Sequence, residues 1–258
     1  MVFFIACGPS RSTDAGSHAD APNARGGTSS SGGTSSSGGG LGGQSGRAGT
    51  VSGGMSAGGV TTRGSVDCAH DGDGMTTLAF INGCDHSVIF AGSDLDGGSL
   101  VPGAVRCVDI GSAAEGLAAK RYWGYGGNDP GAGHYSLAEF TFNTDFHDFD
   151  WYDVSFVDAF NLPLGITPLS RPDCQVLACA DDFLAGCPAV GQLRQNGELV
   201  ACVSPERDNG DSRVAQYFEG CDDAYAWSAD DQHGSDPSPT HACAGEDFAV
   251  TFCPDAKP

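Results

Sequence analysis

Past the first few residues, apolar side chains fall in short runs confined to the last three quarters of the chain. Residues 76–82 (TTLAFIN) and 86–91 (HSVIFA) are β-branched and aromatic runs separated by Gly83, Cys84 and Asp85, which predicts two strands paired through a turn. Residues 136–142 (SLAEFTF) alternate, with Leu137, Glu139 and Thr141 on one face and Ala138, Phe140 and Phe142 on the other. The apolar face belongs to a core, so Glu139 projects the opposite way. Residues 151–160 (WYDVSFVDAF) predict a further strand, with Tyr152, Val154 and Phe156 on one face and Trp151, Asp153, Ser155 and Val157 on the other, closed by Pro163. Residues 198–203 and 248–253 read as two more strands, and 178–185 and 214–220 as single helical turns. Short strands punctuated by Gly, Pro and Asp, with no long amphipathic helix, predict a mainly β fold, an antiparallel sandwich or flattened barrel.

Composition divides the chain near residue 66. Residues 8–66 are rich in Gly and Ser and offer almost no apolar side chains, so burial cannot offset the entropy of ordering them. They are expected to act as a linker with a reach of about 40 Å. Residues 1–7 read as a truncated leader and 67–258 as the folded domain. Cys7 follows Phe3, Phe4, Ile5 and Ala6, an apolar stretch and a small residue that resemble the end of a bacterial lipoprotein signal. Only six residues precede it and no basic segment is seen, so the true start is expected upstream, and a truncated ordinary signal is the alternative. No run of eighteen or more apolar residues occurs, so the membrane is expected to matter only through a lipid on Cys7.

The formal net charge is −21. The first 66 residues hold four arginines against Asp14 and Asp20, so the rest carries −23. Such a surface repels phosphate backbones, which argues against nucleic acid and leaves neutral sugars or cationic ligands. Ten of the eleven cysteines lie after residue 66, an even set that suits five disulfides and an oxidising compartment. Zinc is disfavoured because no CxxC pair occurs. The Asp71 to Gly74 run reads as a turn rather than a calcium loop, since the later ligands are missing, and His233, His241 and Asp247 read as loop residues. No nucleophile elbow, phosphate loop or dinucleotide fingerprint appears, and no metal or cofactor is expected.

Four separated blocks resemble the thaumatin-like proteins: FINGC at 80–84, LAEF at 137–140 with DWYDVSFVDAFNLP at 150–163, CDDAYAW at 221–227, and VTFCP at 250–254. The resemblance implies that family's sandwich and the pairings Cys84–Cys253, Cys174–Cys243, Cys179–Cys221 and Cys187–Cys202, which leave Cys68 and Cys107 for each other. The chain departs from the family where a cysteine-rich stretch is reduced to residues 124–130 and where a small second domain between Cys202 and Cys221 is largely missing.

The resemblance also implies an acidic cleft of one arginine, one glutamate and three aspartates. The matching positions are Arg121, Glu139, Asp153, Asp158 and either Asp230 or Asp231. Crowded carboxylates in a groove raise one another's proton affinity, and an acid beside a carboxylate is what glycoside hydrolysis requires. Glu139 is the expected acid, with Asp153 or Asp158 as partner, and Arg121 orients them. Trp123, Tyr125, Trp151 and Tyr152 are candidate faces for sugar rings, ordinary core packing being the alternative for the last two. The expected function is a monomeric, surface-tethered, extracytoplasmic protein that recognises β-1,3-glucan. Weak endo-β-1,3-glucanase activity is left open. The rival is a non-catalytic interaction module for a cell-surface ligand, secreted or anchored.

Overall fold

The computed structural model describes residue 68 and residues 73–112, 114–142, 149–169, 171–232 and 238–255. Cys7, the linker and His233 lie outside them, as do Asp71 and Gly72.

The described chain runs through β1 (Met75–Asn82), β2 (Val88–Gly92), β3 (Leu95–Leu100), β4 (Val105–Ser112), β5 (Leu117–Gly126), β6 (Leu137–Phe142), β7 (Asp150–Ser155), β8 (Ala159–Phe160), β9 (Leu164–Pro168) and β10 (Leu177–Cys179). It continues through β11 (Gln192–Gln195), β12 (Glu198–Val203), α1 (Arg213–Phe218), β13 (Ala224–Tyr225), β14 (His241–Cys243) and β15 (Asp247–Phe252). One sheet has the order β10-β9-β15-β1-β4; a larger one has β13-β7-β6-β5-β2-β3, with β14 also on β7; β8 joins the β11–β12 hairpin. The mainly β, disulfide-stapled sandwich expected from the pattern is the fold.

Alternation decides which side chains fill the space between the sheets. Leu78 and Phe80 of β1 and Phe248, Val250 and Phe252 of β15 meet Phe90, Tyr122, Phe140, Phe142 and Tyr152 of the larger sheet, all buried. Phe80 stacks on Phe90 with ring centres 4.6 Å apart, and Phe140 meets Phe248 edge-on at 5.4 Å. Gly124 of β5 is required here, because a Cβ would stand 2.6 Å from the Phe252 ring. A second aromatic group, Phe156, Phe160, Phe183 and Phe218, seats α1 beyond the end of β7. The helix starts where Ser212 accepts the amide of Ala215, and it buries Val214, Ala215 and Phe218.

Five disulfides close the chain: Cys84–Cys253, Cys174–Cys243, Cys179–Cys221 and Cys187–Cys202, as the resemblance implies, and Cys68–Cys107, the pair left over. Each contributes about 2–4 kcal/mol, and together they suit an oxidising, extracellular setting.

Several local expectations are corrected. β1 and β2 do not pair: β1 lies between β15 and β4, and β2 between β3 and β5, so the turn at Gly83 carries the chain from one sheet to the other. The 151–160 run is two strands, since Phe156 leaves the sheet to bond Tyr225 and β8 then pairs with β12. Residues 178–185 form no helical turn; β10 pairs with β9, and Asp182 caps a local turn at Leu184. Asp73 accepts the amide of Met75, as a turn residue does. Asp247 is a buried strand residue that accepts the Thr77 amide, and His241 packs against Tyr152.

Asn82 fastens the crossing between the sheets. Its Nδ2 donates to the carbonyls of His86 (2.8 Å) and Leu100 (2.9 Å), and its Oδ1 accepts the Cys84 amide at 2.9 Å. Asn82→Ala strands these groups without water, and each buried orphan costs about 1–3 kcal/mol. We expect the variant to lose at least about 2 kcal/mol in denaturant unfolding with all disulfides intact.

Candidate functional site

Three neighbouring strands line up the first part of the candidate site. Arg121 on β5 stands opposite Glu139 on β6, and Glu139 stands opposite Asp153 on β7. Tyr122, Ala138, Phe140, Tyr152 and Val154 are buried, so the pleat turns their neighbours Arg121, Glu139 and Asp153 to the outer face of the sheet. Arg121 Nε donates to Glu139 Oε1 at 2.7 Å. Asp153 has its carboxyl pushed well above the ordinary carboxylate range, by desolvation first and by repulsion from Glu139 next; Arg121 opposes the shift and Asp231 adds to it.

The 3-10 turn Asp230–Gln232 brings a further carboxylate near Asp153. The family position that sequence leaves open between two aspartates is divided between them: Asp230 Oδ2 accepts the Ala226 amide at 3.0 Å and so braces its own loop, whereas the charge of Asp231 acts on Asp153. Tyr225 had not been singled out. Its partner Ser155 on β7 is two residues from Asp153, and its hydroxyl bonds the Thr240 hydroxyl. Burial pushes the Tyr225 hydroxyl up, the Thr240 bond opposes this, and Asp153 and Asp231 add to it.

Asp158 faces a different cation. Its Oδ1 lies 2.9 Å from Arg207 Nε, while its carbonyl accepts the Ser204 amide at 2.9 Å. Arg207 also escaped the sequence reading, because nothing in its neighbourhood matches a motif.

The aromatic candidates separate by the pleat. Trp123 and Tyr125 share the Arg121 face of β5 and are partly exposed. Tyr135 stacks on both, at 5.4 Å and 6.1 Å, and donates from its hydroxyl to Asp129 at 2.6 Å. Trp151, partly exposed, pairs with Thr141 and Ala242 across the strands. Tyr152 is no cleft residue: it is fully buried, its hydroxyl donates to the Gln175 carbonyl at 2.6 Å, and burial pushes its titration up to about 12. Beneath the site, Asn161 donates to the Gly124 carbonyl at 2.8 Å and accepts the Ser136 amide at 2.8 Å, which ties β5 to the chain entering β6. Among the described residues no group of three His, Cys, Asp or Glu side chains is placed to hold a metal.

A carboxyl that binds its proton more tightly in the folded chain than in the unfolded one stabilises the fold at low pH. That stability is lost as pH rises through the raised native value. Asp153→Asn removes this loss. We expect the variant to melt above the parent at pH 7, and the gap to close as pH falls below the ordinary aspartate value of about 3.9; thermal melts of both proteins from pH 3 to 8 measure it.

Comparison with known proteins places this geometry in a family. The Thaumatin family pattern matches residues 126–254, which includes Glu139, Asp153, Asp158, Asp230 and Asp231, with Arg121, Trp123 and Tyr125 just before it. A pathogenesis-related thaumatin-like protein of Cryptomeria japonica is 36% identical over 138 residues, which span 46% of this chain and 54% of that protein. A glucan endo-1,3-beta-glucosidase of Prunus avium is 33% identical over 126 residues, covering 41% and 49%. The chain thus spans about half the length of these curated relatives. A pathogenesis-related 5 protein of Juniperus ashei is 30% identical over 217 residues, covering 70% of this chain and 89% of that protein. With the family pattern spanning half of the chain and a 30% identical relative covered over 89% of its length, the chain belongs to the thaumatin family.

Proposed function

We propose that this protein binds β-1,3-glucan in the groove around Asp153 and hydrolyses it weakly. The observation that carries the reading is the row Arg121, Glu139, Asp153, in which one carboxyl has raised proton affinity beside an ion-paired one. In this reading the acid is Asp153 rather than Glu139, because Asp153 is the group that burial and like charge favour in its protonated form. Glu139, fixed by Arg121, is the carboxylate that attacks or stabilises the sugar carbon. Residues directly opposite on adjacent strands have Cβ atoms about 4.5–5.5 Å apart. Trp123 and Tyr125 offer apolar ring surface next to the row. The name of the Prunus avium relative agrees with this substrate class.

In the same reading residues 67–258 are the binding domain, with a reduced second domain, and residues 8–66 are the tether. A lipid on Cys7 holds the protein at a bacterial surface. A second reading, a non-catalytic interaction module, draws on the −23 charge of the domain and on the ion pairs that occupy both Glu139 and Asp158.

The test is binding to insoluble β-1,3-glucan and release of reducing sugar by the full chain with its disulfides formed. We expect binding with slow release. Asp153→Asn and Glu139→Gln should keep binding while lowering release by about 100-fold or more. Release by Asp153→Asn at the parent rate would remove the catalytic assignment, and failure of the parent to bind would favour the interaction module.

A further inference from the structure

Arg121 and Arg207 each pair with a carboxylate of the candidate site, and they use their donors differently from Arg171 and Arg194. Arg171 and Arg194 commit Nε, Nη1 and Nη2 to protein acceptors. Arg121 and Arg207 meet a carboxylate through Nε alone. For Arg207 that nitrogen is shielded from solvent and sits 2.9 Å from Asp158 Oδ1, a close ion pair rather than an aligned hydrogen bond. The rest of the guanidinium has no partner among the described residues, and the side chain stays 37% exposed. An arginine held at Nε alone keeps the end formed by its two Nη groups available to donate.

The segment that carries Arg207 is held firmly. Disulfides Cys187–Cys202 and Cys179–Cys221 bound it. The Ser204 amide donates to Asp158 O, and the Ser228 amide donates to Arg207 O at 3.0 Å. Gly210 lies against the Trp227 ring, where a Cβ would come within 2.7 Å. A guanidinium on such a base loses little freedom when it binds, which is the condition for a donor to add affinity.

We propose that Arg207 is a ligand-contacting residue: its two Nη groups donate to hydroxyl or ring oxygens of the polysaccharide and form the cleft wall where the segment between Cys202 and Cys221 is short. The inference rests on the glucan reading above. Asp153 then lies in a groove with two guanidinium groups, Arg121 held through Glu139 and Arg207 held through Asp158. Both present uncommitted donors to neutral oxygens, and both are kept by their carboxylates from making the groove a polyanion site.

The experiment measures affinity for a soluble β-1,3-glucan oligosaccharide with the parent chain, Arg207→Ala, Arg207→Lys, Asp158→Asn, the Arg207→Ala/Asp158→Asn pair and Arg194→Ala. Thermal melts of each establish that it is folded. Loss of charge-assisted donors should weaken Arg207→Ala by about tenfold or more. Arg207→Lys should fall between it and the parent, because an ammonium lacks the planar fork. Arg194→Ala should match the parent. If Asp158→Asn weakens binding while Arg207→Ala stays at the parent level, the carboxylate and not the guanidinium meets the ligand and the inference is overturned. A parent that binds while Arg207→Ala and Arg207→Lys bind equally well also overturns it and leaves the glucan reading standing. A parent that does not bind overturns both.

Discussion

The two-residue period of β5, β6 and β7 is the constraint on which the site depends. Tyr122, Ala138, Phe140, Phe142, Tyr152 and Val154 face the buried layer, and the pleat then leaves one direction for Arg121, Glu139 and Asp153. A slip of one residue in any of these strands would exchange an ion pair for an aromatic ring. The hydrophobic core therefore fixes the electrostatics of the outer face, because the free energy that selects the register is the burial of about half a dozen rings and aliphatic chains. Holding Glu139 and Asp153 side by side is unfavourable, and the chain tolerates it through Arg121 and through the proton that Asp153 binds more tightly.

What sequence revealed follows from how local each signal is. Residues 137–142 and 151–156 alternate so cleanly that the outward direction of Glu139 and Asp153 could be read from them. The same alternation set Tyr152 with Val154 and Phe156, so its rejection from the cleft was already implied, and its nearness to Asp153 along the chain was the misleading feature. β3, β4 and the first half of β5 escaped notice because they are partly exposed and carry residues such as Asp96, Gly97, Arg106 and Lys120 in place of an apolar run. The helical turn expected over 178–185 gave way because pairing with β9 and the Cys179–Cys221 bridge outweigh local preference.

Tyr225 and Arg207 were illegible for a different reason. Tyr225 comes to Asp153 through parallel pairing of a two-residue strand with β7, and Arg207 comes to Asp158 through a loop docked by backbone hydrogen bonds. Neither placement leaves a periodic trace in the chain. Family resemblance took in Tyr225 within the 221–227 block without giving it a role, and none of the resembling blocks includes Arg207.

The parallel pairing of β1 with β15 bears on how the molecule comes into being. Thr77 bonds a partner 170 residues later, and β1 is inner to its sheet only once β15 has arrived. A ribosome adding about 5–20 residues per second takes roughly 10–30 s to cover that interval. Throughout it the rings that Phe248 and Phe252 will cover have no lid, and the native sheet cannot exist. Pairings this distant also make closure slow, on the order of milliseconds to seconds once the chain is whole. The topology thus imposes an order of events in which β15 is made before the native sheet can close. The Cys84–Cys253 bridge, whose partners lie 169 residues apart, can form only after those two segments have met.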